Sequence, residues 1–334
     1  TLETGMRQVM NQHALFAPIT KWQTTIHTKS VRQQIRRAIR VTTSPTPGPV
    51  QFDMPSNETM NEASGSVAEA PLLPNIVPIE PDRKALEVPL QALSLARKPI
   101  LLVGLGVFWD KASAELVALA ERLGAPVLTT SKCKGAIPED HPLRAGCVIG
   151  GIIERELVMQ SDLIVTVGLD AVELQPKPWP YTIPVISLSN TPSLEAMIPA
   201  QSEMVGNLKG ILAGLAEFAP EGSGWGESAA KTFRKQVMQA LDVPTKGLSP
   251  QGAMAVARAV LPRETVATCD AGASRLLVVQ KWETYGPREF LTSNGLGSMG
   301  FAVPGALAAR LAYPDRPVVA FTGDGGFMMA IAEL

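Results

Sequence analysis

The sequence is short of cysteine, histidine and long apolar runs, and it has almost no net charge. Its three cysteines, Cys133, Cys147 and Cys269, lie far apart and form no C-x-x-C. This odd count argues against a disulfide framework and against a zinc site, and a reducing cytoplasm is the expected compartment. None of the three histidines, His13, His27 and His141, lies in a recognisable nucleophile setting, and Gly-x-Ser-x-Gly is missing. Serine-type triad chemistry therefore has no support. The longest apolar stretch, 99–109, falls short of the ~20 residues that span a bilayer, and no signal peptide is read. With 30 basic and 31 acidic residues the net charge is -1. Nothing calls for a polyanionic partner, so neither nucleic acid nor a membrane is expected.

What is present is enough apolar material, 46% of 334 residues, for more than one buried core. Length alone suggests two or three domains at ~150 residues each. The chain starts at Thr1 without a methionine and stops at Leu334 inside a rising helix, so both ends are expected to be internal to a longer protein. Val31, Ile35, Ala38 and Ile39 recur at helical spacing, with Arg32, Arg36, Arg37 and Arg40 on what reads as a solvated face. A Pro/Gly turn and a short strand follow, so residues 1–56 read as half of an α/β unit. Residues 57–82 carry Ser, Glu, Asn and Pro without a period and read as a linker. Residues 83–219 alternate strand and helix, with strands at 99–103, 126–129, 163–167 and 184–188. That alternation predicts an α/β fold with a parallel, doubly wound, Rossmann-like sheet. Residues 220–247 read as a connector holding one helix. Residues 248–334 form another α/β unit: Ser249-Pro250 opens a helix, and strands end at Cys269 and Phe321.

Two candidate sites stand out. Gly104-Leu105-Gly106 follows a strand, but the third position of G-x-G-x-x-G is Trp109, so a tight strand-to-helix turn is the better reading. In the last unit a strand runs into Gly323-Asp324-Gly325-Gly326 and then a helix. Glycines at a strand's carboxyl end let backbone approach a ligand, and a helix start offers N–H donors to an anion. A carboxylate there would repel phosphate unless a cation lay between, so Asp324 reads as a ligand for Mg2+ bridging to a diphosphate. An ordinary turn with Asp324 as N-cap is the alternative. Upstream, Ser293-Asn294-Gly295-Leu296-Gly297-Ser298-Met299-Gly300-Phe301-Ala302-Val303-Pro304-Gly305-Ala306 surrounds one bulky flexible side chain, Met299, with glycines. By itself this could be a loop packing a core methionine.

Taken together, SNGLGSMGFAVPGA and VVAFTGDGGFMMAIAEL resemble the diphosphate-binding domain of thiamine-diphosphate enzymes, nearest the acetolactate synthase group. LFAPITKW and PGPVQFDMP resemble the end of that family's pyrimidine-binding domain, and RKPILLVGLGV and SDLIVTVGLD its middle domain. The resemblance covers Leu15 to Leu334 in order. It implies that residues 1–56 are the C-terminal remnant of a pyrimidine-binding domain and that 248–334 are a truncated diphosphate-binding domain. It also implies that Asp324 binds Mg2+, that Gly323, Gly325 and Gly326 meet the diphosphate, and that Met299 props the bent cofactor. The Gly297 carbonyl would accept from the aminopyrimidine, and Gly272-Ala273-Ser274 would form a diphosphate-contacting loop where acetolactate synthases usually have Gly-Gln-His. The activating glutamate belongs to the pyrimidine-binding domain, so no catalytic residue is expected in 1–334, and this segment alone is expected to be inactive.

The implied chemistry is the cofactor's: it attacks a 2-oxo acid carbonyl and takes up the electrons of decarboxylation. The implied function is a carboligase or decarboxylase acting on small 2-oxo acids, as a homodimer or homotetramer. Aldehyde lyase or acyl-CoA decarboxylase chemistry on the same cofactor stays open, as does a degenerate nucleotide-binding or structural subunit. FAD stays open too. The family's Gly-Met-His-Gly and Arg-Phe-Asp-Asp-Arg stretches have no match near Gly146–Gly151 or in GLDAVELQPKPW, so an empty middle domain or one that takes another nucleotide stands beside FAD as an alternative.

Overall fold

The computed structural model describes residues 10–63, 81–174, 178–193 and 197–334. The chain divides into two units, residues 1–77 and 78–334. In the first, β1 (Trp22–Thr25) and β2 (Val50–Asp53) pair in parallel, with Trp22 opposite Val50. A parallel pair needs a crossover, and the helix Val31–Thr43 supplies it. Ala38 is buried on that helix, while Arg37 lies over the Trp22 ring, 4.7 Å from its centroid. The basic face read as solvated thus also covers an aromatic side chain.

The second unit holds the large sheet. β3 (Pro99–Val103), β4 (Val127–Thr129), β5 (Arg144–Cys147), β6 (Leu163–Val167), β7 (Val185–Ser189) and β8 (Ser202–Val205) run parallel in the order β5-β4-β3-β6-β7-β8. β3 and β6 are buried along their whole length. Their side chains alternate between two cores. Leu101 and Val103 pack with Leu116 and Leu119 of the helix Ser113–Leu123 and with Leu212 of the helix Leu208–Phe218. Ile100 and Leu102 pack with Leu157 and with Phe233 of the helix Trp225–Leu241. Each such burial stabilises by ~1.5–3 kcal/mol, and helices on both faces are what an apolar parallel strand requires. The Trp225–Leu241 helix lies within the stretch read as a connector. It packs so close to β5 that a Cβ on Gly146 would meet Phe233 Cε1 at 2.6 Å.

A second sheet is smaller: β9 (Val266–Cys269), β10 (Phe290–Thr292) and β11 (Val318–Phe321), parallel, in the order β10-β9-β11. The helix Pro250–Val260 starts as expected, with Ser249 Oγ accepting from the Gly252 N–H at 3.0 Å and proline at the first turn. The glycine stretch that reads as one loop from 293 to 306 divides, because a helix, Ala302–Ala312, begins after Phe301. The two sheets of this unit are joined by backbone contacts. The Glu139 N–H donates to the Thr284 carbonyl at 3.0 Å, and a Cβ on Gly135 would meet the Gly286 carbonyl at 2.2 Å. Among the described residues no helix is long and apolar enough to cross a membrane.

All three cysteines are buried and unpaired. Burial pushes the Cys133 thiol well up, and that of Cys269 up to about 12. Because the thiolate is the nucleophile, the native protein should react with a maleimide at pH 8 far more slowly than the urea-unfolded chain. Rapid native labelling of any one of them, read by mass spectrometry, would contradict this packing.

Candidate cofactor site

Three loops converge because three strands are parallel. In the small sheet Cys269 lies opposite both Thr292 and Phe321, so β9, β10 and β11 end at one edge. The loops that leave them carry Gly272-Ala273-Ser274, Gly297 with Met299, and Gly323-Asp324-Gly325-Gly326. Carboxyl ends of parallel strands are where α/β sheets hold ligands.

The anchor of this edge is Asp270, only 1% exposed, directly after β9. Its Oδ1 accepts from the Ala302 N–H at 2.7 Å, and its Oδ2 accepts from the Thr322 hydroxyl at 2.5 Å. One carboxylate thereby ties the start of the Ala302–Ala312 helix to the loop after β11. The loop must come close: a Cβ on Gly326 would stand 2.1 Å from Asp270 Oδ2. Sequence reading ended the strand at Cys269 and passed over Asp270. The signal available was a carboxylate directly after an apolar strand and two residues before a glycine, Gly272.

Asp324 is the first residue of the helix Asp324–Ala330, with Gly323 as its N-cap, so the N-cap alternative does not hold. Its side chain is exposed, and among the described residues it makes no hydrogen bond or ion pair. Met299 is 50% exposed, which is not the state of a core methionine. Its Cε lies 3.2 Å from where a Gly325 Cβ would be, and a Cβ on Gly300 would touch Met329 at 3.2 Å. The loop after β10 therefore rests on the helix after β11. Around Gly272, Gly297 and Gly323 a Cβ would meet nothing within 4 Å. Open space lies beside exposed N–H-bearing turns, a carboxylate and a thioether, and that arrangement fits a cofactor with a diphosphate tail. Gly272, Ala273 and Ser274 are exposed at the start of the helix Ala273–Lys281. This helix reaches the Met299 loop through Arg275, which donates to the Ser293 carbonyl at 3.2 Å and to Asn294 Oδ1 at 3.0 Å. Thr322, Arg275 and Asn294 join Asp270 as residues that shape the site and that sequence reasoning passed over. Among the described residues no group of three His, Cys, Asp or Glu side chains could alone hold a metal.

The middle sheet reverses its winding between β3 and β6, the crevice where nucleotides bind in such folds. Here two internal carboxylates already occupy the turns. Glu173 accepts from the Leu105 N–H with both oxygens at 2.9 Å and from the Thr130 hydroxyl at 3.2 Å. Burial pushes its carboxyl up to about 7, against the lowering effect of those hydrogen bonds. A Cβ on Gly104 would stand 2.4 Å from Glu173 Oε2 and 2.5 Å from the Gly168 carbonyl. After β5, Glu154 Oε2 accepts from the Ile149 and Gly150 N–H groups at 2.6 and 2.9 Å. The glycines of the Gly104-Leu105-Gly106 turn serve close chain packing, and a dinucleotide phosphate does not fit there. These residues therefore do not fit FAD by its pyrophosphate at this turn.

Residues 86–215 match the central domain of thiamine pyrophosphate enzymes, and residues 270–334 match their C-terminal TPP-binding domain. These matches fall on the six-stranded sheet and on the three-loop edge, respectively, and together they define a protein built on the plan of that enzyme class. The chain belongs to the thiamine pyrophosphate enzymes, in the group that resembles acetolactate synthase. A probable acetolactate synthase large subunit of Methanocaldococcus jannaschii is 30% identical over 350 residues, covering 98% of this chain and 59% of that protein. A probable 2-ketoarginine decarboxylase of Pseudomonas aeruginosa is 28% identical, covering 98% of this chain and 59% of that protein. A sulfoacetaldehyde acetyltransferase of Rhodobacter capsulatus is 27% identical, covering all of this chain and 62% of that protein. The chain thus spans about three fifths of the length of these curated relatives.

Proposed function

We propose that the whole protein is a thiamine-diphosphate- and Mg2+-dependent enzyme that joins or decarboxylates small 2-oxo acids in the manner of acetolactate synthase. The observation that supports this most is the half-exposed Met299, whose Cε stands over Gly325 beside the exposed Asp324 carboxylate, which has no partner among the described residues. In this reading the exposed Met299, at a glycine-lined strand edge beside a carboxylate, is placed to meet a ligand.

In this reading the Asp324 carboxylate would be a protein ligand for Mg2+ beside the diphosphate. The N–H groups of Gly325 and Gly326 donate to the diphosphate, and Gly272, Ala273 and Ser274 contact it from the neighbouring loop. Met299 would support the bound cofactor, and the Gly297 carbonyl would accept from its aminopyrimidine. When bound, thiamine diphosphate supplies a carbon nucleophile toward a carbonyl and an electron sink for loss of carbon dioxide. The protein's own part is to orient the cofactor and to keep water from the reacting carbon. A cytoplasmic homodimer or homotetramer goes with the reading.

Met299→Ala should weaken thiamine diphosphate binding about tenfold, roughly the ~1.4 kcal/mol of a lost side-chain contact. Calorimetry with the complete protein and Mg2+ reads this, and an unchanged affinity would remove Met299 from the site. Residues 1–334 by themselves should not consume pyruvate when cofactor and Mg2+ are added, since the proton-transferring glutamate is expected from the pyrimidine-binding domain. Sustained turnover by this segment would refute that inference.

A second reading keeps the cofactor and changes the reaction. It is favoured by the relatives themselves, whose names include a decarboxylase and an acetyltransferase beside the acetolactate synthase. Product analysis of the complete protein with pyruvate, alone and with aldehyde or phosphate as acceptor, separates the two.

A further inference from the structure

One short turn of the middle domain has two sets of contacts, one on each side. The first set is the Glu173 carboxylate, 8% exposed, which grips the Leu105 N–H and the Thr130 hydroxyl. The second set belongs to the backbone of the same turn, Ala171–Glu173. The carbonyls of Val172 and Glu173 accept from Asn294 Nδ2 at 3.4 and 3.3 Å, and Val172 Cγ2 lies 3.5 Å from where a Gly295 Cβ would be. The orientation of the Asn294 amide is forced. Its Nδ2 faces two carbonyls, which only accept, and its Oδ1 faces the Arg275 guanidinium, which only donates. The loop from 293 is closed by the Ser298 N–H donating to Ser293 Oγ at 3.0 Å, and the next residue is Met299.

We infer that Glu173 is a positioning residue for the Met299 loop: it fixes the 171–173 turn against the Gly104-Leu105 turn, and that turn holds the loop in place through Asn294. The role rests on the reading of Met299 as a cofactor contact. The link itself, from Glu173 to Asn294, stands on geometry alone. Nothing in the central-domain match or in the relatives' names assigns it.

A buried glutamate is a costly way to hold a turn unless its charge state matters. Its titratable neighbours are Asp170 and Cys133, both acidic, and among the described residues no cation is paired with it. With a folded pKa raised to about 7, its contribution to closing the turn is full below the ordinary carboxylate range. That contribution is then lost as pH rises through 7. Opening of the turn should therefore become easier with rising pH in the wild type and not in Glu173→Gln.

The test uses the complete protein and two independent readouts. Hydrogen exchange of residues 293–300 without cofactor reads the link, and calorimetric affinity for thiamine diphosphate with Mg2+ reads its consequence. Glu173→Ala and Asn294→Ala should each raise exchange in 293–300 and each weaken binding about tenfold. The double variant should be no worse than either single one, since both cut the same connection. Glu173→Gln should keep most of the affinity and lose the fall in protection, exchange being corrected for its intrinsic rate at each pH, that the wild type shows between pH 5.5 and 8.5. The inference is overturned if Glu173→Ala lowers only the melting temperature while exchange and affinity stay within about twofold of wild type, or if the two single effects multiply to about 100-fold. If the wild type binds no thiamine diphosphate, the cofactor reading fails, and the exchange data still decide the link separately.

Discussion

Asp324→Ala is expected to weaken Mg2+-supported thiamine diphosphate binding by on the order of 100-fold while leaving the fold intact. The separation of these effects follows from where Asp324 sits. Its side chain is exposed at the first position of a helix and holds no described neighbour. Removing it forfeits only a favourable interaction with the helix dipole, ~0.3–1 kcal/mol. A metal ligand is different, because its loss leaves the cation under-coordinated and the diphosphate charge uncompensated. Calorimetry across a Mg2+ titration, beside a thermal melt, measures both quantities. Equal binding by wild type and variant would end the metal assignment. A large fall in melting temperature would instead make Asp324 a structural residue.

Gly326→Ala should have the largest effect on stability at the site. Its Cβ would enter space held by Asp270 Oδ2 at 2.1 Å and Thr322 Oγ1 at 2.9 Å. The carboxylate cannot retreat, because it is buried and its other oxygen is fixed on the Ala302 N–H. The cost should be ~3 kcal/mol, in the range of overpacking combined with a broken buried hydrogen bond. Gly323→Ala is the matched control. Its φ is −87° and a Cβ there meets nothing within 4 Å, so its effect should stay within ~0.5 kcal/mol. Urea unfolding of both variants reads the difference. Similar midpoints for the two would show that the loop after β11 is not packed on Asp270 as described.

Much of the fold was legible because its inner strands are buried on both faces. β3 and β6 appear in the sequence as unbroken apolar runs for that reason, and their bounds were read almost to the residue. The edges were not legible. β5 is Arg-Ala-Gly-Cys, and its arginine is buried only because Glu139 meets it with a carboxylate, a partner five residues away around a loop. β8 alternates half-buried and exposed residues, with a serine and a glutamate among them. Neither pattern announces a strand: β5 is buried but carries an arginine and a glycine, and β8 is an edge strand with little apolar cover. At the site, glycines and Met299 drew attention because they are unusual in their setting. Asp270, Arg275 and Asn294 did not, because common polar residues gain meaning only from what they touch.

By itself the sequence determined the alternation of strand and helix, the two glycine-rich segments, the family they resemble and the position of the exposed carboxylate. These are local properties, set by residue type and spacing along the chain. Only the tertiary structure decided that three loops from parallel strands meet at one edge and that Asp270 draws two of them together. It alone decided that Glu173 fills a turn which a nucleotide phosphate would otherwise claim. The physical reason is that hydrogen bonds and close packing between residues tens of positions apart depend on strand order and register, which no local pattern encodes.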